Sequence, residues 1–184
     1  MGSLEPLAVY LACIDSGFKT DEVYRFCRYW ADKTKAIKGE EDISGGRFYR
    51  ANKIDINSRT GAVITGGLVL WHLNVTQYKD KINRLVTSNN PGKWHIFKNP
   101  SNEYLLQFTS EHKILIRNRT TGKAKEVWQK KKEASANHYL DAEVYGLAAA
   151  DIIRALNIRK DDSIKIHREQ NRKNWVRKTE GSWI

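Results

Sequence analysis

The chain has 184 residues, 40% of them hydrophobic and 29% charged, with 32 Lys and Arg against 21 Asp and Glu for a formal charge of +11. That composition suits one globular domain with its own core and excludes a disordered chain, and no apolar run approaches the roughly 20 residues a membrane helix needs. The two cysteines, Cys13 and Cys27, lack the paired spacing of a zinc site and fit a reducing compartment, while the basic surplus points to a polyanion, most often nucleic acid.

Leu7 to Ile14 is a continuous apolar run closed by the turn Asp15-Ser16-Gly17, the pattern of a central strand covered on both faces. With no basic stretch before it and no small-residue cleavage site after it, it is not expected to act as a secretory signal. Thr20 is placed to cap a helix carrying Asp21 and Glu22 in its first turn and burying Val23, Phe26, Cys27 and Trp30. Lys35 to Gly39 reads as the next parallel strand, so this stretch forms a βαβ unit. Gly45 to Asn57 and Gly61 to Leu73 read as two strands about a turn at residues 57–61, and Asn74 or Thr76 can cap a helix running to about Val86. There follow a loop at Asn89-Asn90-Pro91-Gly92, a short strand at Trp94 to Phe97, and a brief helix opened by Ser101. His112 to Asn118 and Lys123 to Lys130 then form a hairpin turned at residues 119–122.

The next helix is the most informative stretch. Leu140, Val144, Leu147, Ala148, Ile152 and Leu156 recur at helical spacing and give one apolar stripe. Asn137 is positioned as its N-cap, which puts Asp141 in the first turn, where the helix dipole favours a carboxylate. Ala148-Ala149-Ala150 has almost no side-chain bulk, so the helix can lie close to a sheet. Beyond it, residues 159–184 are basic and Trp-spotted without a period, and are expected to extend a single domain at residues 1–158.

Asp15 ends a predicted strand at its C-terminal edge, where ligands gather in open α/β sheets. Asp141 sits near the start of a helix that can pack on that sheet. Two carboxylates brought together repel unless cations lie between them, and hard oxygen ligands without a Cys or His cluster point to Mg²⁺ or Mn²⁺. In a basic protein such a site suggests two-metal phosphodiester cleavage. Lys113, Arg117, Arg119, Lys123, Lys125, Lys130, Lys131 and Lys132 crowd the hairpin and its exit against only Glu111 and Glu126, and would hold a DNA backbone without reading sequence; the alternative is a solvated edge hairpin protected by lysines. Other candidates carry less. Glu40, Glu41 and Asp42 read as a solvated loop, and Lys79 as a solvated lysine with phosphate contact as the alternative. Glu143 points about 160° away from Asp141 around the helix axis, toward solvent, and Asp151 shares that helix. His138 reads as a surface residue that could orient a water or touch a phosphate. His72 and His95 read as structural residues of strands.

Three segments in order resemble one family. Ala12-Cys13-Ile14-Asp15-Ser16-Gly17, with Thr20 and Val23-Tyr24, looks like the strand–Asp–Ser/Thr–Gly–helix element of lambda-type phage terminase large subunits. Ala36-Ile37-Lys38-Gly39 is similar to that family's Ile-Lys-Gly strand. The run Asn137-His138-Tyr139-Leu140-Asp141-Ala142-Glu143-Val144-Tyr145-Gly146-Leu147-Ala148-Ala149-Ala150 resembles its late Asn-x-x-Leu-Asp-x-x-Val-Tyr-x-Leu-Ala-Ala helix, the most specific of the three. The resemblance covers about residues 7–157. It implies the C-terminal nuclease domain of a DNA-packaging motor, with an RNase H-like mixed α/β fold, a sheet flanked by helices, and a basic hairpin before the last main helix. It implies two bound Mg²⁺ or Mn²⁺ ions, cleavage of concatemeric double-stranded viral DNA in the host cytoplasm, and the small terminase subunit and the portal or prohead as partners of the whole protein. Asp15 matches the family's second acid and Asp141 its last, as catalytic and metal-binding positions.

The family's first acid belongs to a Gly-(Ile/Val)-Asp segment upstream of the Asp-Ser-Gly element and is expected to lie outside this chain, and no Gly-x-x-x-x-Gly-Lys-Ser/Thr loop is present. The chain is therefore expected to be a fragment or a degenerate remnant. The alternative function is a non-catalytic DNA-binding or assembly module that keeps the nuclease fold. Another RNase H-like enzyme, such as a resolvase or transposase, fits the Leu-Asp-x-x-Val-Tyr helix less well. The basic residues Lys165, Arg168, Arg172, Lys173, Arg177 and Lys178 suit DNA or another motor part equally.

Overall fold

Strand alternation decides which side chains meet the helices. In the computed structural model, which describes residues 9–55, 67–88, 94–117, 119–120 and 122–155, β1 (Ala12–Asp15), β2 (Thr34–Glu40) and β4 (Val69–Asn74) run parallel, and β3 (Tyr49–Lys53) pairs antiparallel with β4, giving the order β1-β2-β4-β3. One face of this mixed sheet carries Cys13, Ile37, Trp71 and Leu73. It packs with Tyr78 and Ile82 of α2 (Val75–Thr87) and with Val144, Leu147 and Ala148 of α4 (His138–Ile152). The opposite face carries Ile14, Ala36, Leu68 and Leu70 and receives Cys27, Val23 and Tyr24 of α1 (Thr20–Tyr29). The sheet is thus flanked by helices on both sides. α3 (Asn102–Phe108) and a separate hairpin, β5 (Glu111–Arg117) with β6 (Ala124–Lys130), lie between α2 and α4 in the chain. The chain divides into two units, Met1–Ile153 and Arg154–Ile184. The expected extension at residues 159–184, Leu156 of the apolar stripe, the turn at 57–61 and the loop at 89–92 lie outside the described residues.

Local chemistry set several boundaries as the sequence suggests. The Asn74 side chain caps α2 by accepting from Gln77 N at 3.0 Å, and Ser101 caps α3 by accepting from Tyr104 N. Elsewhere the structure corrects the reading. Among the described residues β1 is an edge strand, paired on one side only, and its start comes later than expected, with Val9 and Tyr10 exposed before it. An apolar run carries no record of its place in the strand order, which is fixed by distant partners. Thr20 does not cap α1. Lys19, in a left-handed conformation, takes that place, and Thr20 is the first helical residue, its hydroxyl donating to the Ser16 carbonyl at 2.7 Å. Phe26 is half exposed, not part of the buried stripe, because α1 meets the sheet through the narrower Val23, Tyr24 and Cys27 contact. The short strand expected at Trp94 to Phe97 does not form. Trp94 instead donates its backbone N–H to Leu85 at the end of α2 and packs on the core, while His95 is exposed. β3 is also shorter than the segment expected from Gly45 to Asn57.

Candidate functional site

Asp15 is the last residue of β1, and the turn behind it is tied down at several points. Ser16, almost fully buried, donates both its backbone N–H (2.9 Å) and its hydroxyl (2.8 Å) to the Ile37 carbonyl of β2. Gly17 N–H returns to Asp15 Oδ1 at 2.9 Å, closing an Asx turn. A Cβ at Gly17 would stand 3.3 Å from that oxygen. The second oxygen, Oδ2, accepts from the Tyr145 hydroxyl of α4 at 3.2 Å. Alternation along β1 sends Asp15 to the face that also carries Cys13, the face covered by α2 and α4.

Asp141 lies one turn before Tyr145 on α4, in the first turn of the helix. Burial pushes its carboxyl above the usual carboxylate range. The Lys79 ammonium pulls it down, Glu111 pushes it up, and smaller contributions come from His138 downward and Asp15 upward. The Tyr145 hydroxyl is held well above its ordinary value by burial and by the charges of Asp15 and Asp141. Tyr145 thus joins the two elements, its hydroxyl bonded to Asp15 and its backbone one helical turn after Asp141. Gly39 of β2 supplies the floor: a Cβ there would meet Val75 Cγ1 at 3.0 Å and Tyr145 Oη at 3.8 Å.

Lys79 is the correction of most consequence. It is 9% exposed rather than solvated, its ammonium 2.7 Å from Glu111 Oε2 and 3.8 Å from Asp141 Oδ1. Glu111 Oε1 accepts from Asn137 Nδ2 at 2.8 Å. Asn137 thus stands at the N-cap position of α4 but spends its side chain on Glu111 and makes no capping bond. The sequence held a signal for Lys79, which falls in the apolar stripe Val75, Tyr78, Ile82 of α2 at helical spacing. Glu111 and Tyr145 carried none strong enough to single them out.

The remaining candidates disperse. Glu40 is the last residue of β2, not part of a solvated loop. Although burial raises its pKa, hydrogen bonds from His72 and Arg50 hold it below the ordinary value. Asp42 accepts from Asn74 Nδ2 at 3.3 Å, while Glu41 is exposed. Glu143 faces α3 and accepts from the Tyr104 hydroxyl at 2.6 Å, contrary to the solvent-facing assignment. Asp151 pairs with Lys81 at 3.1 Å. His138 is exposed, and His72 is half-buried against Glu40.

The basic residues line the hairpin as follows. Arg117 ends β5, Arg119, Lys123 and Lys125 surround the tip, and Lys130, Lys131 and Lys132 lie at the exit, all exposed. The charge of Lys113 is engaged by Asp80 at 3.0 Å and Glu126 at 2.8 Å. Asp80 also accepts from Trp128 Nε1 at 2.8 Å, so one carboxylate of α2 grips both strands.

Among the described residues no three His, Cys, Asp or Glu side chains converge closely enough to enclose a metal ion. Asp15 and Asp141 each offer the hard oxygen donors that suit Mg²⁺ or Mn²⁺, ions that keep several waters and are held by one or two carboxylates plus substrate phosphates. Among the described residues each Asp15 oxygen accepts one hydrogen bond, from Gly17 N–H and from Tyr145 Oη–H. No helix among the described residues is long and apolar enough to cross a membrane. The family model for the terminase large subunit gpA endonuclease domain matches residues 2–179, a span that takes in most of the basic C-terminal stretch. No curated protein and no solved structure matches the chain.

Proposed function

The chain belongs to the terminase large subunit gpA endonuclease-domain family, and from that premise we propose that it cuts double-stranded phage DNA during packaging, using Asp15 and Asp141 to hold Mg²⁺ or Mn²⁺ against the scissile phosphate. The observation that carries this reading is the hydrogen bond from Tyr145 of α4 to the strand-end acid Asp15, one helical turn from the first-turn acid Asp141 on the same helix. A bound divalent ion supplies the acid strength that makes water a nucleophile at neutral pH and offsets charge on the leaving oxygen. The chain's own residues do the positioning. Gly17 N–H and Tyr145 Oη fix the Asp15 carboxylate in orientation. Asp141, partly desolvated beside a second acid, is a carboxylate that gains from a cation. The exposed basic residues of the hairpin, Arg117, Arg119, Lys123, Lys125 and Lys130 to Lys132, take the phosphates of the duplex without reading its bases. Lys113 contributes less, being paired within the fold. In this reading the mixed sheet is an RNase H-like one, and the small terminase subunit and portal are partners of the whole packaging protein.

Incubating the chain with supercoiled plasmid and Mn²⁺ or Mg²⁺ tests it. Wild type is expected to nick the plasmid, and Asp15→Asn and Asp141→Asn are expected to bind it with the same salt dependence without nicking. Inactivity of wild type with salt-sensitive binding intact would replace this reading with a DNA-binding assembly module.

A further inference from the structure

Polar residues from α2, β5 and the start of α4 meet where packing alone would favour apolar ones. Lys79 of α2 is 9% exposed, and its ammonium lies 2.7 Å from Oε2 of Glu111, the first residue of β5. Glu111, its side chain 5% exposed, accepts at its other oxygen from Asn137 Nδ2 at 2.8 Å. The same ammonium stands 3.8 Å from Asp141 Oδ1, within ion-pair reach but beyond a hydrogen bond. Local stability does not account for this arrangement. A buried ion pair often adds nothing over well-packed apolar residues of similar volume. Asn137 holds the N-cap position of α4 yet makes no capping bond, forgoing the usual gain of such a residue. Gln107 of α3 takes the Tyr139 N–H there, at 3.3 Å. What the buried bonds secure is position. Charge-assisted hydrogen bonds with satisfied partners hold geometry tightly, and these tie the residue before α4 to α2 and to the root of the hairpin.

We propose that Lys79, Glu111 and Asn137 form a clamp of positioning residues that sets the first turn of α4, and with it the Asp141 carboxylate, in place for cleavage. Their part in the reaction rests on the assignment of Asp141 as a cation ligand, and it is the same for one ion or two.

Lys79→Met/Glu111→Leu removes both charges together and leaves neither buried alone. In the metal-free chain this variant is expected to match or exceed wild type in Tm. Amide hydrogen exchange at Asp141, whose N–H bonds the Asn137 carbonyl at 3.0 Å, should nevertheless speed up about tenfold as the helix start loosens. With supercoiled plasmid and Mn²⁺, single-turnover cleavage should fall about 10–100-fold, as when the groups that orient a metal ligand are lost, while salt-dependent DNA binding stays as in wild type. Unchanged exchange, cleavage at the wild-type rate, or a lowered Tm, which would make the pair ordinary support for the core, would each overturn the proposal. Mn²⁺ affinity of wild type and Asp141→Asn separates this inference from the reading beneath it. Equal affinity would remove Asp141 as a cation ligand and with it the clamp's part in cleavage, and the exchange measurement would still decide whether the clamp sets α4.

Discussion

Replacing Asp141 by Asn should make the folded chain more stable while abolishing cleavage. The carboxylate sits in the first turn of α4, where the helix dipole favours negative charge, and Lys79 stands 3.8 Å away. Burial and the neighbouring Glu111 and Asp15 charges outweigh those gains and hold its pKa above the ordinary value. A carboxyl with a raised folded-state pKa binds its proton more tightly in the folded chain than in the unfolded one. Stability therefore falls as pH rises through the interval between the two values. At pH 7 the ionised group is a net burden, and the amide, of nearly the same shape, removes it. The side chain is 32% exposed, so solvent screening limits the gain to about 0.5–1 kcal/mol, or roughly 1–4 °C in Tm for a chain of this size. Urea unfolding of both proteins from pH 4 to pH 8 measures it. The advantage of Asp141→Asn should be largest at neutral pH and shrink on acidification as wild type takes up its own proton. Adding Mn²⁺ should raise the Tm of wild type and leave the variant unmoved. A variant less stable than wild type at pH 7, or an advantage that grows toward low pH, would refute the electrostatic account of the site.

Tyr145→Phe should cost about 0.5–1 kcal/mol in urea unfolding, since it deletes a 3.2 Å hydrogen bond to Asp15, and should lower single-turnover cleavage about tenfold by freeing that carboxylate to rotate. Changing Arg117, Arg119 and Lys125 together to Glu should weaken DNA binding at least about tenfold and flatten its salt dependence, as filter binding at several salt concentrations would record, with little change in Tm. Asp55, held down to about 2 by the Arg28 guanidinium and by the Leu68 backbone N–H, favours folding above the ordinary carboxylate value of 3.8. That contribution should disappear as pH falls from about 4 toward 2, and Asp55→Asn, losing about 1 kcal/mol at neutral pH, should show a shallower acid transition by circular dichroism. Leu73→Ala, at a fully buried position between α2 and α4, should cost about 2–5 kcal/mol in the same unfolding assay.

What the sequence made legible was local. The caps at Asn74 and Ser101 need only a side chain and a backbone N–H three residues on, and the stripe Leu140, Val144, Leu147, Ala148 is one helix face, buried as its spacing requires. The places of Asp15 at a strand end and Asp141 in a first helical turn are legible in the same way. What escaped were properties set across long separations. Glu143 was assigned to solvent from the geometry of α4 alone, yet its surroundings come from Tyr104 on α3. Lys79 was judged by residue type, although its neighbours Tyr78 and Ile82 are core, because the carboxylates that make burial tolerable lie on β5 and α4. The edge position of β1 belongs to the strand order, which no single segment encodes.

Lys79 and Asp80 are consecutive residues of α2, and both reach the hairpin, one through Glu111 at the root of β5 and the other through Lys113 and Trp128. If the hairpin holds a duplex as proposed, load on it would be delivered to the same turn of α2 that places Lys79 beside Asp141. On the proposed reading, the phosphate grip and the cation site would be coupled through two adjacent residues of one helix.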